Sequence, residues 1–287
     1  MPYTVPVSFD KFVENISLTG DHKDTAETRR KTIVGLLGNA FTTLDSFATG
    51  SIANGTGLKA LADLDVMVVL HWGKHVKDKT PTQVLQAVRD ALGKYRTNVR
   101  KNGQAVTLYY DSWPNVDIVP VSRYDNDDGT VNHYSVPDAV SGRWISSRPR
   151  KHANALNAKT GQCGYRFKPL VRMIKQWNKE HSDLMQSYHI EVLCLNIFND
   201  VISDYSWKVF QFFDTAINLV SSSLAYEDGY ADDYLDAQTR RDVLKRLETA
   251  RDKAREAWYL TFNDKSEPEN AIAIWRQIFG DKFPAYG

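Results

Sequence analysis

Three aspartates, Asp63, Asp65 and Asp117, hold the chemistry that this sequence could do. From Asp63 to Leu70 the chain reads as a strand, with Leu64, Val66, Val68 and Leu70 alternating with Asp63, Asp65, Met67 and Val69. Period two sets Asp63 and Asp65 side by side on one face. Two carboxylates that close raise each other's pKa unless a cation lies between them. Hard oxygen ligands of this kind suit magnesium, which is held by one or two carboxylates together with substrate phosphates. Upstream, Gly50 is free to adopt φ > 0, and Ser51 brings a hydroxyl to a turn that can approach a phosphate closely.

A strand-edge pair of aspartates is more often merely solvated. The third carboxylate is what favours a site. Asn115 to Pro120 is a second apolar strand with one acid in it, Asp117, and Val106, Leu108 and Tyr110 alternate just before it. The turn cluster Ser112-Trp113-Pro114-Asn115 would close a hairpin between them and carry Asp117 next to the strand of Asp63 and Asp65. Three aspartates on two adjacent strands suit a two-metal site.

The elements that must position these residues can be read in outline. At 287 residues, with 42% hydrophobic and 25% charged, the chain has the composition of an ordinary globular protein of one core or two modest lobes. Net charge is +1, from 36 basic and 35 acidic residues, which argues against a protein that coats duplex nucleic acid. Cys163 and Cys194 are too few for a structural zinc site and read as reduced core thiols. There is no signal-like N-terminus and no run of about 18 apolar residues, so the expectation is a cytoplasmic protein away from the membrane.

Ser8 is expected to cap a first helix through Ile16, and Thr28 to Leu37 a second. Trp72 to Lys79 reads as a basic loop, and Thr80-Pro81 opens a helix burying Val84, Leu85, Val88 and Leu92. Lys94 to Gly103 reads as a solvated turn, Tyr124 to Gly129 as a hairpin tip, and Val131 to Trp144 as a β excursion ending the first lobe. Beyond Arg150 the pattern is helical. Phe167 to His181 has Leu170, Val171, Ile174 and Trp177 on one side, while Lys168, Arg172 and Lys175 form a basic stripe that is usually the wet face of such a helix. Ser187 opens the next helix, either as a plain cap or with its first-turn N–H groups as an anion site. Tyr188 could be a core filler or a stacking ring. Ser206 caps a further helix, Tyr226 to Asp236 is an acidic loop, Thr239 to Phe262 a long helix, and Pro268 starts the last one.

Gly50-Ser51, Asp63-x-Asp65 and Asp117 match, in order and spacing, the nucleotidyltransferase superfamily of DNA polymerase β type. With FKPLVRMIKQWN from Phe167, SYHIEVL from Ser187 and IFGDKFP from Ile278, the chain resembles a bacterial cGAS/DncV-like nucleotidyltransferase (CD-NTase), related to oligoadenylate synthase and cyclic GMP-AMP synthase. The resemblance implies an α+β fold, with a mixed-sheet nucleotidyltransferase lobe (1–150, including spine helices) packed against a helical lobe (151–287) that completes the nucleotide pocket. It implies a synthase of a cyclic di- or trinucleotide second messenger from nucleoside triphosphates, with pyrophosphate release, in antiphage signalling. The alternative is tailing of RNA, or nucleotidyl transfer to a protein or small molecule.

On this resemblance Asp63, Asp65 and Asp117 are catalytic and hold two magnesium ions, with manganese as a substitute. Gly50, Ser51, Lys175, Ser187 and Tyr188 bind nucleotide: Lys175 touches the donor triphosphate and Tyr188 stacks on a base. The chain lacks the zinc insertion and basic excess of cyclic GMP-AMP synthase, so no duplex nucleic acid is expected. Some bacterial relatives are encoded beside ubiquitin-transfer-like enzymes that conjugate the synthase through a small C-terminal residue, so the tail Phe283-Pro284-Ala285-Tyr286-Gly287 reads either as a plain unstructured end or as the target of such a partner at Gly287.

Overall fold

The structure is a computed structural model that describes residues 3–59, 61–262 and 266–287. The chain forms two units, one of Leu18–Asn154 and one of Met1–Ser17 with Ala155–Gly287. The first helix, α1 (Val5–Ile16), therefore belongs with the C-terminal helices, unlike the expected division at residue 150. Its Phe9 and Phe12 are fully buried against Trp275, Phe279 and Phe283, with Phe9 and Trp275 edge to face at 5.0 Å.

The unit of Leu18–Asn154 is built on a seven-stranded sheet. Its strands are β1 (Thr43–Thr49), β2 (Leu64–Leu70), β3 (Val99–Asn102), β4 (Ala105–Leu108), β5 (Val116–Asp125), β6 (Val131–Asp138) and β7 (Arg143–Ser147). The order is β1-β2-β5-β4-β3, with β6 on the far half of β5 and β7 on β6. Only β2 and β5 run parallel, so the sheet is mixed as expected.

The alternation along β2 does not separate a wet face from a dry one. Leu64, Val66, Val68 and Leu70 pack in one core with Ile33 and Leu37 of α2 (Gly20–Gly38) and Val84, Leu85 and Val88 of α4 (Pro81–Gly93). Met67 and Val69, expected on the face of the aspartates, are buried in a second core with Val121, Tyr134 and Val136. A strand covered on both faces reads as a nearly continuous apolar run, and each such side chain contributes roughly 1.5–3 kcal/mol. The polar end of β2 is what remains open. Between β1 and β2 lies the short helix α3 (Gly50–Asn54).

Several local readings shift. Pro6 in the first turn lets α1 start at Val5 with Thr4 as cap, so Ser8 lies buried inside the helix. The second helix begins at Gly20, capped by Thr19. The loop after β2 forms a π-helical turn, Trp72–Val76. Within the supposed turn Lys94–Gly103, Val99–Asn102 adds an edge strand. β1 was not foreseen, because its residues show no clean apolar alternation.

The second unit adds α5 (Pro149–Cys163), which crosses the boundary, then α6 (Phe167–Glu180), α7 (Ser187–Ile197), α8 (Tyr205–Val220), α9 (Ala237–Phe262) and α10 (Pro268–Phe279). α6 is enclosed on nearly every side: Phe167, Leu170, Val171, Met173, Ile174 and Lys175 through Asn178 are all buried. The wet-face reading of its basic stripe therefore fails at Lys175. Asp204, not Ser206, caps α8, its carboxylate accepting from the Ser206 and Trp207 amides. The loop at Tyr226 is a small hairpin of β8 (Ala225–Tyr226) and β9 (Gly229–Tyr230). Phe283 is a core residue, so it is not part of the tail that follows. Among the described residues no helix is long and apolar enough to cross a membrane.

Candidate active site

The parallel register of β2 and β5 sets Asp65 opposite Asp117, and Thr107 of β4 lies opposite Asp117 on the other side. Asp63 stands just before β2, where the Leu64 amide bonds to the Asn115 carbonyl at 2.9 Å. Asp63 is thus not a strand residue, so the pleat of β2 does not set it beside Asp65 as expected. Partial loss of water, and then the charge of Asp117, push the Asp63 carboxyl above its usual range, against a hydrogen bond from Asn115. The two acids already share one field.

Gly50 is fixed by this arrangement. Its φ is +66°, which other residues rarely adopt, and a Cβ there would fall on the Asp65 carboxylate. That carboxylate lies directly against the first residue of α3, whose second residue is the half-buried Ser51. The first amides of a helix have no intrahelical partner, so an acidic or phosphate oxygen is favoured beside them. Gly50 and the Asp65 carboxylate are thus immediate neighbours.

Three supports were not read from the sequence. The buried Thr107 hydroxyl donates to Asp117 Oδ1 at 2.5 Å, which fixes that carboxylate and leaves Oδ2 without a partner among the described residues. Asn115 accepts from the Tyr110 amide through Oδ1 at 3.1 Å, so its amide nitrogen is the side turned to Asp63. Arg29 of α2 staples the turn before β5, donating to the Ser112 and Pro114 carbonyls and lying 4.0 Å over the Tyr110 ring. The hairpin register alone could have found Thr107, since pairing Val106 with Ile118 sets Thr107 against Asp117.

The three aspartates offer only hard carboxylate oxygens of like charge, the donor set that a divalent cation neutralises. Among the described residues no three acidic, histidine or cysteine side chains, these aspartates included, are grouped closely enough to hold a metal ion by themselves. Asp65 lies against Gly50.

The expected residues of the helical unit fall into two kinds. Lys175 is 3% exposed and its Nζ donates to Glu191 Oε1 of α7 at 2.6 Å, itself 4% exposed. A buried pair of this kind fixes α6 to α7. Ser187 is exposed at the first position of α7, with Gln186 as the cap. Tyr188 is 38% exposed and meets Tyr226 edge to face at 5.7 Å, which excludes the core-filler reading. Burial and then the Glu227 charge raise the Tyr188 hydroxyl far above its ordinary range, and the same causes push that of Tyr226 up to about 12.

Residues 3–160 match the Second Messenger Oligonucleotide or Dinucleotide Synthetase domain, and residues 154–261 match the cGAS/DncV-like nucleotidyltransferase C-terminal helical domain. A cyclic AMP-AMP-AMP synthase of an Acinetobacter species is 26% identical over 242 residues, covering 79% of this chain and 67% of the relative. The structure of Escherichia coli CdnC with ATP is similar in fold, with a TM-score of 0.71 and 20% identity over 97% of this chain and 98% of that one. Vibrio cholerae DncV cyclic AMP-GMP synthase, with a linear intermediate, gives 0.73 at 13% identity over 94% and 93%. The synthetase domain covers more than half of the chain and contains all three aspartates, so the chain belongs to the second messenger oligonucleotide or dinucleotide synthetases, the cGAS/DncV-like nucleotidyltransferases.

Proposed function

We propose that this chain condenses nucleoside triphosphates into a cyclic di- or trinucleotide, a ribose hydroxyl attacking an α-phosphate with pyrophosphate leaving. The observation that carries the reading is Asp65 opposite Asp117 across β2 and β5, with Asp63 in the field of Asp117 and Gly50 against the Asp65 carboxylate. These three carboxylates would hold divalent metal, magnesium by preference, which when bound lowers the pKa of the attacking hydroxyl and neutralises the phosphates. Asp117 is held by Thr107 through Oδ1, and in this reading its Oδ2 would accept the hydroxyl proton. Ser51 and the adjoining amides of α3 would receive phosphate oxygens.

For the helical unit the proposed roles are a phosphate contact for Ser187 and base stacking for the exposed Tyr188. Lys175 would act on phosphate with a charge already balanced by Glu191, so its contribution is donor geometry more than net charge. Supplying the pure protein with magnesium and the four nucleoside triphosphates tests the reaction. A phosphatase-resistant product with the mass of a cyclic di- or trinucleotide is expected; linear products alone would overturn the cyclising step.

A further inference from the structure

The helical unit contains a cavity that no role proposed above uses. About 360 Å³ in volume, it is floored by Trp177 of α6, Ala250 of α9 and Ile278 of α10, and rimmed by Lys245, Arg246 and Lys253 of α9. Lys245, Arg246, Ala250 and Lys253 follow one another at helical spacing, so they share one face of α9. Among the described residues none of the three cations has an ion pair, and the buried Nε of Arg246 has no hydrogen-bond partner. The one acid at the rim, Asp242, is engaged by the Gln238 amide at 3.2 Å. Like charges along one face repel, and a half-buried guanidinium with an orphan donor is unfavourable.

We propose that this cavity is a binding site for a compact organic anion, a flat apolar body carrying a phosphate or carboxylate group. The apolar floor and polar rim have the make-up of a small-molecule pocket, and the volume lies at the small end of the usual range of about 300–1,000 Å³. Three unpaired cations over a concave apolar floor concentrate positive potential where the anionic group would sit. Within α6 the site is turned away from Lys175. Trp177 follows Lys175 by two positions on α6, which places them roughly 200° apart around the helix.

Calorimetric titration with 1-naphthyl phosphate, 1-naphthoate and neutral 1-naphthol tests the assignment. One or both anions should bind the wild type with salt-sensitive affinity, and 1-naphthol at least tenfold more weakly. Arg246→Gln with Lys253→Gln should weaken the anions tenfold or more, Lys245→Gln alone less, while Asp63→Asn with Asp65→Asn leaves binding unchanged. The tighter of the two anions assigns phosphate or carboxylate as the group. Equal binding of 1-naphthol, unchanged affinity in a folded Arg246/Lys253 double variant, or loss of binding in the aspartate variant would each overturn the proposal.

Discussion

Replacing Gly50 by alanine separates the backbone demand at this position from the placement of Asp65. The φ of +66° alone costs a residue with a Cβ about 1 kcal/mol. The new methyl would also occupy the space of the Asp65 carboxylate, which must swing away or force the turn to open. Displacing a reacting group by about 1 Å can cost on the order of a hundredfold in rate. Gly103→Ala is the matched control, because Gly103 has φ +59° and open space where its Cβ would go. Urea denaturation should show both variants destabilised, Gly103→Ala by about 1 kcal/mol and Gly50→Ala by about 1–3 kcal/mol. Pyrophosphate release should fall roughly a hundredfold in Gly50→Ala and stay near wild type in Gly103→Ala. Equal stability losses with both variants active would refute the claim that Gly50 exists to admit the Asp65 carboxylate.

Other consequences follow from single contacts. Thr107→Val keeps the shape but removes the donor to Asp117; kcat should drop about tenfold or more, since hydrogen bonds to charged groups contribute about 1.5–3 kcal/mol. An unchanged rate would remove Thr107 from the site. Lys175→Ala deprives the buried Glu191 carboxylate of its ammonium, so urea denaturation should show a loss of about 3–5 kcal/mol, much of it recovered in Lys175→Met with Glu191→Gln. If that stabilised double variant binds nucleotide as well as wild type, Lys175 is structural only. The buried His189 is held neutral, its pKa pushed down to about 4 by burial, while its Nδ1 meets the Tyr234 hydroxyl at 2.9 Å. The unfolded chain protonates near pH 6.5, so the His189 contribution is fully present above that and is lost as pH falls toward 4. At pH 5 the loss is about 2 kcal/mol, and thermal melts should show it shrinking in His189→Gln.

The carboxylates were legible because two strong patterns, an apolar strand with acids at one end and a hairpin turn, left little freedom for their pairing. Asp117 on a strand next to that of Asp65 follows from those patterns, while the register that sets the two opposite each other does not. What the sequence hid was longer-ranged. Met67 and Val69 looked like neighbours of the aspartates on one face, but β6 and the far half of β5 cover them. Lys175 looked solvated because helical periodicity reports one buried face, whereas α6 is surrounded. Its partner Glu191 was visible in the sequence, sixteen positions on, without any local rule to join them. Helix α1 could not be assigned to the helical unit, because its partners Trp275, Phe279 and Phe283 lie at the other end of the chain.

The central claim is that Asp63, Asp65 and Asp117 together support nucleotidyl transfer. Substituting Asp117→Asn removes one charge, keeps the side-chain shape, and leaves Oδ1 able to accept from Thr107. Pyrophosphate release and cyclic product should be measured side by side for wild type and this variant at saturating magnesium. Both should fall by about a thousandfold or more, since general-base and metal-ligand roles are removed together, in a protein that melts at or above the wild-type temperature. Full product formation by a folded Asp117→Asn protein would contradict it.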